Sequence, residues 1–364
     1  MPLFRVKFPT AHHFTVSLFG CQYHADSPSE KKLALIKAFE SLISPAAIHV
    51  EEFEQNDLPS KIWMSYWASP QNFKAWWENP DVSSFWNLLP EDAGFWRETV
   101  SLPATRAMHQ AVFGDRKDGF GYCGNLVPLT ERMGYWGAYR SRLTKDPPDE
   151  KFASSLSAVP EPRQLSEKIR TGRIRMTRFP DNLCFVVEGQ DYSSMGERER
   201  EHWNEHLDAP AKRWVSNVMM GGPAKGLVNA RACHGFAGGK QLGATKANGI
   251  FPGLDYVRQA QILFWLDLSY MEHMGKHDPT HVKLRGQFVK SYGPGGEMEG
   301  GDLLLWVDLG VLRAEEVDAE YVGCYDGTGF TAFDNHPSFG SEVVEKSTLP
   351  AFFEQPIASN PEDW

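Results

Sequence analysis

Long apolar runs, paired cysteines and stretches of positive charge are all missing from this 364-residue sequence. Nothing approaches the roughly 18 consecutive apolar residues of a spanning helix, which excludes a helical membrane protein. The five cysteines (Cys21, Cys123, Cys184, Cys233, Cys324) lie far apart and form no Cys-x-x-Cys pair. That pattern excludes a disulfide frame or a structural zinc site and predicts buried thiols in a reducing compartment. The net charge is -10 and no basic run occurs, so nucleic acid and anionic membrane surfaces are not expected partners. The start, Met1-Pro2-Leu3-Phe4-Arg5, lacks the charged region and apolar block of a secretory signal, so a cytoplasmic location is expected.

Aromatic residues are plentiful, with 12 Trp, 11 Tyr and 23 Phe, enough to fill a large core or to line a deep apolar cavity. His13–Phe19 alternates with period two and reads as a strand, as do 61–67, 173–179 and 183–187. Ser29 caps a helix running to Leu42, and Ser69-Pro70 opens another. Residues 194–218 read as one long amphipathic helix, and 261–268 as a strand leading into a helix near Ser269. The sequence Ile62-Trp63-Met64-Ser65-Tyr66-Trp67-Ala68-Ser69, a short helix and Asn79-Pro80 has a counterpart some two hundred residues on. There Ile262-Leu263-Phe264-Trp265-Leu266-Asp267-Leu268-Ser269 leads to a short helix and Asp278-Pro279. The recurrence predicts an internal duplication, with halves at about 1–150 and 165–335 and a C-terminal extension over 336–364. Proline and charge cluster at 145–149 and 160–162, where the halves would meet. The glycine-rich stretch 293–301 lacks the Gly-Lys-Ser/Thr ending of a phosphate loop and reads as a turn.

Asp278-Pro279-Thr280-His281 has the syntax of a helix start, with Asp as cap and Pro in the first turn. His281, Leu284 and Phe288 then share one face. A histidine on an apolar stripe is usually a hydrogen-bonded core residue. No His-x-x-x-His or Glu-x-x-His partner stands nearby, which argues against zinc or a two-iron site. A lone imidazole on an apolar face also fits haem, where the porphyrin supplies four ligands. Helix syntax leaves both readings open.

Three motifs carry a resemblance. Gly134-Tyr135-Trp136-Gly137-Ala138-Tyr139-Arg140-Ser141-Arg142, Gly189-Gln190-Asp191-Tyr192 and Pro279-Thr280-His281 resemble hallmarks of the haem-containing aldoxime dehydratases. The similarity runs from about Phe14 to Phe330, with Phe95-Trp96-Arg97-Glu98 and Leu305-Trp306 in the expected order, and it is nearest to a fungal branch. The resemblance implies one haem-binding α+β domain over 1–364 of the dimeric α/β-barrel type. Its two ferredoxin-like halves would share an antiparallel sheet flanked by helices around a buried haem pocket. It further implies haem b, ferrous when active, held proximally by His281, with Arg142 reaching the distal side. The implied activity is a lyase that dehydrates a small-molecule aldoxime to a nitrile, in a homodimer.

Two positions depart from the family pattern. Glu188 stands where the family has a serine that bonds the oxime hydroxyl, and Val307 where it has the distal histidine that transfers protons. A carboxyl in an apolar pocket has its pKa raised toward neutrality, which makes Glu188 the candidate acid. Its bland alternative is a strand end pointing to solvent, and that of Arg142 is a surface ion pair. Asp308, alternating with Trp306, is expected to lean outward, and His234 is a further candidate for the lost histidine's role. With two positions changed, peroxide or oxygen chemistry at a distal Arg/Glu pair and a non-catalytic haem-binding role stay open.

Overall fold

Local signals place most of the elements. In this computed structural model the described residues are 3–9, 12–55, 57–112, 116–129, 139–145, 147–240 and 251–354, so Gly134–Ala138 of the first motif lies outside them. The first part of the chain forms β1 (Leu3–Lys7), β2 (His13–Gln22), α1 (Glu30–Ile43), β3 (His49–Gln55), β4 (Ser60–Trp67), α2 (Pro70–Trp77), α3 (Pro80–Asn87), β5 (Phe95–Pro103), β6 (Ala107–Val112) and β7 (Asn125–Pro128). It continues through β8 (Arg173–Met176), β9 (Leu183–Asp191), α4 (Glu197–His206), α5 (Asp208–Met219), β10 (Leu227–Lys240) and β11 (Tyr256–Trp265). Then come α6 (Leu268–His277), α7 (Pro279–Tyr292), β12 (Leu304–Leu312), β13 (Val317–Val322) and β14 (Ser341–Val343).

Capping sets the helix starts. The Ser29 hydroxyl accepts from the Lys32 amide at 3.3 Å, and the Ser69 hydroxyl from the Asn72 amide at 3.1 Å, with Pro70 following in the first turn. The helix expected over 194–218 is instead two, α4 and α5, broken at Leu207 with φ -122. Pro210 is the cause. In one continuous helix its ring would meet the carbonyl of His206, and it has no N–H to offer.

The chain forms two compact units that interleave along the sequence. The first holds Met1–Lys7, Thr105–Ala153 and Cys184–Val311, and the second Phe8–Ala104, Ser154–Leu183 and Leu312–Trp364. In the first unit the strand order is β10-β11-β9-β12-β6-β1-β7, with antiparallel ladders such as β10–β11, β11–β9 and β12–β6. In the second it is β14-β8-β13-β5-β2-β4-β3, antiparallel throughout.

Within each unit a strand, one or two helices, two strands, two helices and a strand follow in sequence: β2 to β5 in the second unit, β9 to β12 in the first. The four strands take the same spatial order, fourth-first-third-second, as β5-β2-β4-β3 and as β12-β9-β11-β10. In each, a glycine of the first strand receives an indole from the fourth. A Cβ on Gly20 would overlap the Trp96 ring, and one on Gly189 the Trp306 ring.

The helix side of the second unit is packed shut. Phe19, Phe39, Trp63, Trp76, Trp77 and Trp86 form one aromatic core, with Phe19 lying 5.6 Å from Trp76 and 5.8 Å from Trp86 between ring centroids. None of the five cysteines is in a disulfide and all are buried, as the sequence predicts, and burial pushes the Cys21 thiol up to about 12. Among the described residues no helix is long and apolar enough to cross a membrane.

Gly189→Ala should destabilise the protein by about 1–3 kcal/mol, because the added methyl must displace a buried indole. Chemical denaturation measures this, and an unchanged midpoint would refute the close approach.

Candidate active site

The helix side of the first unit is open. A cavity of about 360 Å³ lies there, lined by β9, β11 and β12 and by α5 and α7. That volume falls within the roughly 300–1,000 Å³ of small-molecule and cofactor pockets. Its walls are largely apolar, including Trp203, Trp214, Leu284, Phe288 and Val307, and its polar members include His281, Glu188 and Gln261.

His281 is held from three sides. Asp278 caps α7, its Oδ1 accepting the amides of Thr280 at 2.8 Å and His281 at 3.4 Å, which fixes the first turn. The imidazole Nδ1 is hydrogen-bonded to the Gly275 carbonyl of α6. A carbonyl oxygen can only accept, so Nδ1 carries the proton and Nε2 carries the lone pair. The Trp214 ring lies against the imidazole, centroids 4.4 Å apart. Burial lowers the pKa of His281, which keeps the ring neutral. A neutral, oriented imidazole with a free Nε2 is the form that binds a metal.

Glu188 lies in the body of β9 and lines the cavity; it is not a strand end facing solvent. Burial raises its pKa to about 7, while a hydrogen bond from the Trp214 side chain pulls the other way. Trp214 therefore touches both His281 and Glu188. A second void of about 20 Å³, room for about one water, adjoins the same three side chains. Opposite Glu188 in the antiparallel ladder stands Gln261, only 2% exposed.

The other sequence-selected residues fall as follows. Arg142 sits on the short turn Tyr139–Arg142, its guanidinium 5.9 Å from the ring of Tyr139. Tyr139 lines the cavity and, among the described residues, Arg142 does not. Arg140 is tied away to Glu272, Nε to Oε2 at 3.1 Å. Val307 lines the cavity. Asp308 does not lean outward. It is wholly buried, accepting from the Phe120 amide at 3.0 Å and lying 2.7 Å from His109 Nδ1. Strand β12 is buried on both faces, so alternation cannot mark an outside. His234 is buried on β10 with its ring 3.8 Å from that of Tyr256, and it does not line the cavity among the described residues.

Sequence reasoning missed Trp214, Gln261 and the Gly275 carbonyl, because helix packing and strand register bring them to the site.

The site fits haem. Among the described residues no group of three or more His, Cys, Asp or Glu could hold a metal ion, so a metal at His281 must bring its own ligands. One buried donor on the wall, Gln261 Nε2, finds no acceptor among the described residues, which a ligand in the cavity can supply.

Comparison with known proteins gives the family and the fold. The family profile described as haem-containing dehydratase matches residues 17–330. Phenylacetaldoxime dehydratase of Bacillus sp. (strain OxB-1) is 23% identical over 280 residues, spanning 75% of this chain and 73% of that one. The crystal structure of an aldoxime dehydratase in complex with butyraldoxime superposes with TM-score 0.71 at 19% identity, covering 90% of this chain and 88% of that chain. A second aldoxime dehydratase structure gives TM-score 0.70 at 18% identity, covering 90% of each chain. At these identities the two structures establish the likeness of fold.

His281→Ala should abolish the Soret band of the purified protein or shift it strongly, with added imidazole restoring part of it. An unchanged spectrum would sink the ligand assignment.

Proposed function

The chain belongs to the family of haem-containing dehydratases, and from that membership we propose that it eliminates water from aldoximes, R–CH=N–OH, to give nitriles. One observation carries this reading: an oriented neutral imidazole and a carboxyl that titrates near neutrality share one apolar cavity. When bound, ferrous haem b supplies an iron that draws electrons through the oxime nitrogen and loosens the N–O bond.

The remaining work falls to the chain's own residues. His281 holds the cofactor from Nε2, with Gly275 keeping the ring turned correctly. Trp203, Leu284 and Phe288 exclude water and receive the R group. Glu188, protonated below about 7, gives its proton to the oxime oxygen, which leaves as water. The carbon-bound hydrogen then leaves as a proton, and its return to Glu188 balances the cycle without net redox. We assign Arg142 to orienting the hydroxyl and stabilising its charge; the support is its match to the family motif and its place beside Tyr139 at the cavity wall.

The same reading treats the whole chain as one haem-binding domain of duplicated ferredoxin-like halves, about 1–150 and 165–335, with an extension over 336–364. Its support is the shared strand order, the paired glycine–indole contacts and the Asx-Pro helix starts at Asn79 and Asp278. A cytoplasmic homodimer completes the proposal, with five thiols, none in a disulfide, favouring a reducing compartment. Sedimentation at micromolar concentration tests the dimer.

Reduced protein incubated without oxygen should convert phenylacetaldoxime or an alkyl aldoxime to the nitrile. Absence of nitrile from every aldoxime, together with peroxide-driven dye oxidation, would defeat the proposal. Glu188→Gln should lower kcat by roughly 100-fold or more while haem content stays at the wild-type level. In the wild type kcat should fall as pH rises through about 7, where Glu188 loses its proton. That limb should vanish in the Gln variant; its persistence there would assign the proton to another group.

A further inference from the structure

We propose that Gln261 donates a hydrogen bond from its amide to the oxygen of the bound oxime, beside the Glu188 carboxyl. The proposal rests on the aldoxime reading above and adds to it a residue that none of the family motifs contains.

Register supplies the first argument. Gln261 and Glu188 are direct partners in the β11–β9 ladder, so their side chains leave the sheet on one face, with Cβ atoms about 5 Å apart. Both line the cavity. The Gln261 Nε2 is buried and finds no acceptor among the described residues, an arrangement a folded protein keeps only where something offsets it. The neighbouring wall residues Val307 and Leu284 are apolar and offer no acceptor. A ligand in the cavity can supply the acceptor.

The second unit supplies an independent argument. Gly20 there takes the place of Gly189, each receiving the indole of its fourth strand. Phe19 therefore corresponds to Glu188, and the ladder partner of Phe19 is Trp63. Both rings are completely buried in the aromatic core. The same sheet positions are thus filled by an aromatic pair where no cavity is needed. A carboxyl–amide pair is not a requirement of the fold, and its presence marks the polar end of the substrate.

The chemistry locates the bond. As the N–O bond breaks, its electron pair goes to oxygen, and the Glu188 proton goes to the same atom, so water departs. Gln261 transfers nothing. Its N–H meets an oxygen that is more negative in the transition state than in the bound oxime, and therefore helps chemistry more than binding.

Gln261→Met and Gln261→Leu remove the donor while keeping a side chain of similar size. In both, kcat should fall roughly 10- to 100-fold, with KM within about threefold of wild type. Haem content and thermal midpoint should stay at wild-type values. Carbon monoxide bound to the reduced protein gives a reading free of turnover: losing a donor beside its oxygen should raise the C–O stretching frequency. Unchanged kcat in a haem-replete variant, an unmoved C–O stretch, or haem loss parallel to the loss of activity would each overturn the assignment. If wild type makes nitrile and both variants keep pace, Gln261 alone is wrong. If wild type makes none, the parent reading has failed and takes Gln261 with it.

Discussion

The bond from His281 Nδ1 to the Gly275 carbonyl decides which nitrogen of the ring is available, and the rest of the site is arranged around that choice. It depends on the break between α6 and α7. Asp278 ends one helix and caps the next, so a carbonyl near the end of α6 is left without its usual partner and turns to the imidazole. Backbone that a helix terminus must satisfy in some way is here satisfied by the side chain that needs orienting. Trp214 completes the clamp from α5. No acidic side chain is required to fix the tautomer, which leaves Glu188 for other use.

That carboxyl illustrates how environment sets chemistry. Two buried acids of the first unit, Glu188 and Asp308, both have raised pKa values because burial disfavours their charge. Asp308 is compensated by a ring nitrogen and a backbone amide, and it serves the packing of β12 against β6. Glu188 receives one indole hydrogen bond and otherwise faces the cavity. The first is a structural acid, and the second lies on the wall of the cavity.

Much of this was legible in the sequence where the signal was local. The Asp-Pro start of α7 placed His281 in the first turn facing Leu284 and Phe288, and the caps Ser29 and Ser69 stood where their helices begin. Family resemblance supplied what helix syntax left open, the cofactor. Nonlocal contacts were not legible. Trp214 reaches His281 across two helices, Gln261 meets Glu188 only through strand register, and the Gly275 carbonyl is an acceptor only because of where α6 stops. Pro210 was a local signal, and it overruled the apolar periodicity that made 194–218 read as one helix.

The interleaving of the units bears on the timing of synthesis. The cavity wall begins at Tyr139 and ends at Val307, while the chain between them also leaves to complete β8 of the other unit. A ribosome emitting this chain from its N-terminus cannot finish the pocket until β12 has emerged, when only the C-terminal portion remains to be made. His281 is therefore enclosed only late, when the other walls are nearly assembled. Neither unit exists as a contiguous stretch that could be expressed alone, so a complete pocket belongs to the finished polypeptide.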